Sequence, residues 1–120
     1  MAVECIHIKD SRPGDYYCGR ASSLNKASKL FDCSVLGNPF SSPALSREES
    51  IAKYKDYIHE KYFNNFLINE IIHSLVRKAM EAPIRLVCFC KPKACHTDIL
   101  KEMIDGFVQR RKEELINDDS

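Results

Sequence analysis

A chain of 120 residues with 44% apolar content fits one domain built round one modest core. A formal net charge of +1 excludes a global field that would draw it to nucleic acid or to a membrane surface. No apolar run is long enough to span a bilayer, and Met1 to Cys5 lacks the basic and apolar regions of a secretion signal, so a cytoplasmic setting is expected.

Val3-Glu4-Cys5-Ile6-His7-Ile8 has strand composition, and Arg12-Pro13-Gly14-Asp15 ends it with turn chemistry. Tyr16-Tyr17-Cys18 is a second short strand, closed by Gly19-Arg20. Residues 21–34 are mixed, fitting one helical turn or a loop. Leu36-Gly37-Asn38-Pro39-Phe40 cannot be a regular element, because Pro39 removes a donor and biases Asn38 towards extended backbone. Ser46-Arg47-Glu48-Glu49 carries the capping-box pattern and opens a helix with Ile51, Tyr54 and Ile58 on one face. Asn64-Asn65 breaks or bends it.

Ile68, Ile71, Ile72, Leu75, Val76 and Ala79 form the clearest apolar stripe, a second helix stopped by Ala82-Pro83. A strand is expected from Ile84 to Cys90, apolar on both faces apart from Arg85, as in a central parallel strand. The last helix starts near Cys95 and runs to about Glu114. The predicted fold is α/β, a small single-domain Rossmann-like arrangement with a short, mostly parallel sheet flanked by helices. It occupies residues 1–116, and 117–120 form a frayed polar tail.

Chemistry concentrates in Cys88-Phe89-Cys90-Lys91-Pro92-Lys93-Ala94-Cys95-His96-Thr97-Asp98. There a strand delivers two cysteines to a basic loop, and a helix starts beside a Cys-His pair. Free N–H groups at a helix start attract anions and favour a thiolate, and the carboxyl end of a strand is where open α/β folds place ligands. Of the six cysteines, Cys5, Cys18, Cys33 and Cys88 read as small buried hydrophobes, all reduced in a chain without a secretion signal. Cys95, beside Lys91, Lys93 and the helix dipole, is the candidate nucleophile. His96 is the candidate acid/base, with Asp98 able to orient its ring. His7, His59 and His73 receive no role.

Zinc is considered for Cys88, Cys90, Cys95 and His96, but the spacing lacks the separated second pair of zinc modules. Neighbours on a helix also diverge by about 100°. No metal and no cofactor are therefore expected.

Tyr17-Cys18-Gly19-Arg20, Leu36-Gly37-Asn38-Pro39-Phe40, Arg47 with Tyr54, and Cys88-Phe89-Cys90-Lys91-Pro92 with Cys95-His96-Thr97-Asp98-Ile99-Leu100 form a recognisable series. Together they resemble the family called domain of unknown function 4326, over about residues 16 to 105. The resemblance implies a small Rossmann-like domain of a kind common in phages and bacteria, with no reaction attached. Phe89 stands where that family usually has Trp, and the stretch from Arg20 to Leu36 is longer than usual.

The expected site lies where the Gly37-to-Phe40 loop meets the loop from Cys90 to His96. Gly37 permits close backbone approach, Asn38 offers donor and acceptor, and Phe40 can stack on a flat group. Gly19, Cys90, Lys91 and Lys93 join the ligand-binding set, while Arg20 and Arg47 clamp a phosphate or carboxylate. Arg47 opposes the helix dipole unless an anion sits there too.

The function expected is binding of, and chemistry on, a nucleotide-like or other phosphorylated small molecule. The alternatives are a non-catalytic phage or bacterial protein that sequesters a nucleotide ligand, and a zinc-stabilised interaction domain. No membrane partner and no bulk nucleic-acid binding are expected, and the sequence sets no oligomeric state.

Overall fold

The computed structural model describes residues 3–19, 30–40, 44–88 and 95–118. Arg20, Cys90, Lys91 and Lys93 of the expected site lie outside the described residues. The strands are β1 (Val3–His7), β2 (Tyr16–Tyr17), β3 (Phe31–Asp32) and β4 (Ile84–Cys88), and the helices are α1 (Arg47–Asn64), α2 (Phe66–Glu81) and α3 (His96–Asp118). They form a four-stranded, all-parallel sheet in the order β1-β4-β2-β3, a Rossmann-like α/β domain. No helix among the described residues is long and apolar enough to cross a membrane.

Local chemistry explains most element ends. The Arg12–Asp15 turn closes with the Asp15 N–H donating to the Arg12 carbonyl at 3.1 Å, and Gly14 takes φ +93° behind Pro13, as a type II turn requires. Ser46 caps α1, its Oγ accepting from the Glu49 N–H at 3.1 Å. Asn65 ends α1 and caps α2 at once: its N–H donates to the Lys61 carbonyl, and its Oδ1 accepts from the Ile68 N–H at 3.1 Å. Helix α3 continues to Asp118, past the end expected near Glu114.

The sheet's two faces differ. Ile84 and Leu86 of β4, with Val3 and Cys18, join Tyr54 and Ile58 of α1, the α2 stripe and Leu100, Ile104 and Val108 of α3 in the main core. Ile6, Tyr17 and Val87 point the other way, into a smaller cluster with Ile8 and Leu30. Each fully buried Leu or Ile contributes about 1.5–3 kcal/mol, so the helix-covered face holds the fold. Arg85, the polar residue in the central strand, donates to the Asp10 carbonyl at 2.8 Å and lies 3.3 Å from the buried Asp15 carboxylate. A charge inside the sheet is thereby paired.

Strand β3 was not foreseen, because Phe31 and Asp32 are both exposed and carry no burial pattern. It exists through its backbone ladder to β2 and the stacking of Phe31 on Tyr16, with ring centroids 5.2 Å apart. A 3-10 turn at Ser34–Leu36 follows and leads to Gly37.

Gly37 is needed for space. Its φ of −62° suits any residue, but a Cβ there would stand 2.9 Å from the Gly19 carbonyl oxygen and 3.0 Å from that of Ser34. Both obstacles are backbone. Gly37→Ala is expected to lower the unfolding free energy by about 1–3 kcal/mol, the usual cost of overpacking, read from the midpoint of urea denaturation. An unchanged midpoint would mean that the two chain segments can separate at no cost.

Candidate functional site at the start of α3

All four strands are parallel, so their carboxyl ends share one edge of the sheet. Three segments meet there: Cys18-Gly19 after β2, the turn from Ser34 to Phe40 after β3, and the first turn of α3. This is the edge where open α/β sheets form ligand crevices.

The first turn of α3 is bound to three strands. The Cys5 thiol of β1 donates to the Thr97 carbonyl at 3.3 Å, and the Thr97 hydroxyl donates to the Cys88 sulfur of β4 at 3.8 Å. His96 Nε2 lies 2.6 Å from the Cys18 carbonyl that follows β2. Asp98 completes the cap: its Oδ2 accepts from the Cys95 N–H at 3.0 Å, and its own N–H donates to the Cys95 carbonyl at 3.0 Å.

These contacts decide where a proton can sit. A carbonyl only accepts, so His96 Nε2 must carry hydrogen and donate to Cys18. Cys95 Sγ lies 3.4 Å from His96 Nδ1. Either the thiol donates to a neutral ring or the imidazolium donates to a thiolate, and in both forms one proton lies between Sγ and Nδ1. A thiol, an imidazole and a carbonyl that orients the ring therefore stand in one line. The orienting group seen is the Cys18 carbonyl, while the Asp98 carboxylate holds the Cys95 backbone. Cys95 is 2% exposed and His96 7%, so the pair is buried.

Neighbouring Cys95 and His96 do not diverge by a helical step: Sγ and Nδ1 lie 3.4 Å apart. Cys95 precedes the first residue of α3, which frees its sulfur to turn back onto the ring. Among the described residues no group of three or more His, Cys, Asp or Glu side chains is placed to hold a metal ion.

Asn38 Oδ1 accepts from the Phe40 N–H and Asn38 Nδ2 donates to Ser50 Oγ, each at 2.9 Å, so this side chain shapes its own loop and ties it to α1. Phe40 meets Tyr57 edge-on, with centroids 5.6 Å apart. The close approach that Gly37 permits is to the Gly19 carbonyl, and a Cβ on Gly19 would in turn collide with the buried Tyr17 ring, 2.5 Å from its Oη. Arg47 is exposed in the first turn of α1. An open groove of about 500 Å³ lies elsewhere, further along α3, between Lys55, His59 and Phe63 of α1 and Met103, Phe107 and Arg110.

Tyr54 and the Cys18 carbonyl were not foreseen in the site. The fully buried Tyr54 ring meets the His96 ring edge-on at 5.1 Å, and its hydroxyl donates to the Leu36 carbonyl at 2.7 Å. One side chain thus spans the loop after β3 and the histidine of α3. The available signal was a hydroxyl on an otherwise apolar helix face, which must find a partner when buried.

A family model described as Domain of unknown function (DUF4326) matches residues 3–106. The chain belongs to this family. The DUF4326 match takes in β1, which the Gly-Asn-Pro-Phe and cysteine signatures do not reach, and ends within α3. Every residue of the Cys95–His96–Cys18 line falls inside it. No curated protein and no solved structure matches the chain.

Burial, followed by the charges of Cys18, Tyr57 and Cys95, raises the Tyr54 hydroxyl well above its ordinary range. Tyr54→Phe leaves the Leu36 carbonyl without that donor and is expected to cost about 1–3 kcal/mol at neutral pH. The parent should also lose stability as pH rises above about 10, where an unfolded tyrosine ionises and the buried Tyr54 keeps its proton. That alkaline decline continues up to the raised folded value and should flatten in Tyr54→Phe. Tyr16, raised chiefly by burial, retains part of the slope. Denaturant titrations of both proteins across alkaline pH check this.

Proposed function

We propose that the carboxyl edge of the sheet, at the start of α3, binds a nucleotide-like or other phosphorylated small molecule, and that Cys95 and His96 act on it. The observation that carries this reading is the line from Cys95 Sγ through His96 to the Cys18 carbonyl, 3.4 Å and 2.6 Å long. In this scheme the N–H groups opening α3 hold an anion, helped by Arg47 and by Arg20, Lys91 and Lys93. Cys95 passes its proton to His96 Nδ1 and attacks an electrophilic centre of the ligand, and His96 returns the proton to the leaving group. Phe40 and Asn38 flank the flat part of the ligand. The setting in this reading is the cytoplasm, where thiols stay reduced.

A second reading, a binding protein that sequesters such a ligand without turnover, is favoured by the burial of Cys95 and His96. It uses the same anion site and leaves the thiol as a packing group.

Phosphate, sulfate and a panel of nucleotides at millimolar concentration test the common part, because a ligand bound only by the native state raises the melting temperature. At least one member should do so. No shift across the panel would remove the phosphate site. For a ligand that does bind, Cys95→Ser should retain the shift and abolish turnover if the thiol is the nucleophile. Binding with no turnover in either protein would establish the sequestering reading.

A further inference from the structure

Cys18 and Cys33 occupy equivalent places at the ends of adjacent strands. The register pairs Tyr16 with Phe31 and Tyr17 with Asp32, and the next pair in that series is Cys18 with Cys33. The ladder continues that far: the Phe31 N–H donates to the Asp15 carbonyl and the Cys33 N–H to the Tyr17 carbonyl, both at 2.8 Å. Paired residues of neighbouring parallel strands lie on one face, with strands about 4.8 Å apart. That spacing lies inside the Cα separation of about 4.4–6.8 Å that a disulfide spans. Both side chains belong to the main core, Cys18 fully buried and Cys33 7% exposed.

We propose that Cys18 and Cys33 are a redox pair, closed to a disulfide by a hydroperoxide and reopened by a small thiol. Cys33, the more exposed of the two, is the attacking member. Its thiolate displaces one peroxide oxygen: an S–O bond forms, the O–O bond breaks, and the departing oxygen is protonated to water or an alcohol. The Cys18 sulfur then attacks the Cys33 sulfenic acid; the S–S bond forms, the S–O bond breaks, and hydroxide leaves with the Cys18 proton as water. Two electrons pass from the sulfurs to the peroxide, and the sums balance.

The electrostatics agree with this order. A hydrogen bond from the Cys18 thiol lowers the Cys33 thiol from its ordinary range, while the same bond and burial push Cys18 up. Cys18 has other neighbours, the Tyr16 carbonyl at 3.8 Å and, by register with β4, Cys88. The Cys88 sulfur receives the Thr97 hydroxyl at 3.8 Å, which holds it to α3. Closing the Cys18–Cys33 link would also constrain the Cys18 carbonyl that His96 holds at 2.6 Å, so the oxidation state of the pair is felt at the imidazole.

The full chain, titrated with hydrogen peroxide, alkylated and digested without reduction, provides the test by peptide mass mapping. We expect a Cys18–Cys33 linked peptide, loss of two alkylatable thiols from the six cysteines of the chain, and their return with dithiothreitol. His96 ring resonances should shift on oxidation and revert on reduction. In Cys33→Ser, Cys18 should stay reduced at the same dose. The proposal is overturned if both thiols stay free while other cysteines oxidise, if Cys18 links to Cys88, or if the link forms and the His96 resonances do not move. Because the mapping is done on the parent protein without ligand, its result depends neither on the folding of the variant nor on the phosphate-site reading.

Discussion

The hydrogen bond from His96 Nε2 to the Cys18 carbonyl, at 2.6 Å, is the constraint on which the rest of this edge depends. It joins two buried groups, a carbonyl beyond the end of β2 and an imidazole 7% exposed. The net gain of one such bond is only about 1 kcal/mol, but leaving either member unpaired in the interior costs about 1–3 kcal/mol. That asymmetry makes it a strict positional requirement. It seats α3 on β2 across a long sequence separation and fixes which ring nitrogen faces Cys95.

Around that bond the strand ends are built to minimal clearance. Gly37 lies against the Gly19 carbonyl, and Gly19 lies against the buried Tyr17 ring, so a methyl group at either position meets an occupied volume. Tyr54 closes the same arrangement from α1, touching the His96 ring and holding the Leu36 carbonyl just before Gly37. Asn38 spends its amide on Phe40 and Ser50. Residues that sequence chemistry suggests as ligand contacts thus do much of their work on the protein's own backbone. The result is a closely packed frame, in which the Cys95 and His96 side chains are held by the surrounding protein.

The elements carried by side-chain pattern were legible in the sequence. Ser46 and Glu49 announced α1, the two asparagines its end, the isoleucine stripe α2, and the apolar run β4. Strand β3 was not legible, because a two-residue exposed strand is specified by its neighbours' hydrogen bonds and not by its own residues. The position of Cys95 and His96 on the carboxyl edge followed from strand-then-helix order. Their partners did not, since the Cys18 carbonyl is a backbone atom that no residue type announces, and Tyr54 reads from sequence as one more apolar-face residue. Helical spacing also gave the wrong geometry for Cys95 and His96, because one of the two lies outside the helix.

Asp98 ties the start of α3 to the residue before it. Its carboxylate accepts from the Cys95 N–H, as an acidic residue in the first turn should, and is favoured there by the helix dipole. The same bond fixes the backbone of Cys95 relative to the residue that follows it. That backbone is held from one side and the His96 ring by the Cys18 carbonyl from the other, and the thiol lies 3.4 Å from Nδ1. Asp98 therefore bears on the Cys-His pair through the peptide unit of Cys95, and the geometry of that pair reflects how the helix begins.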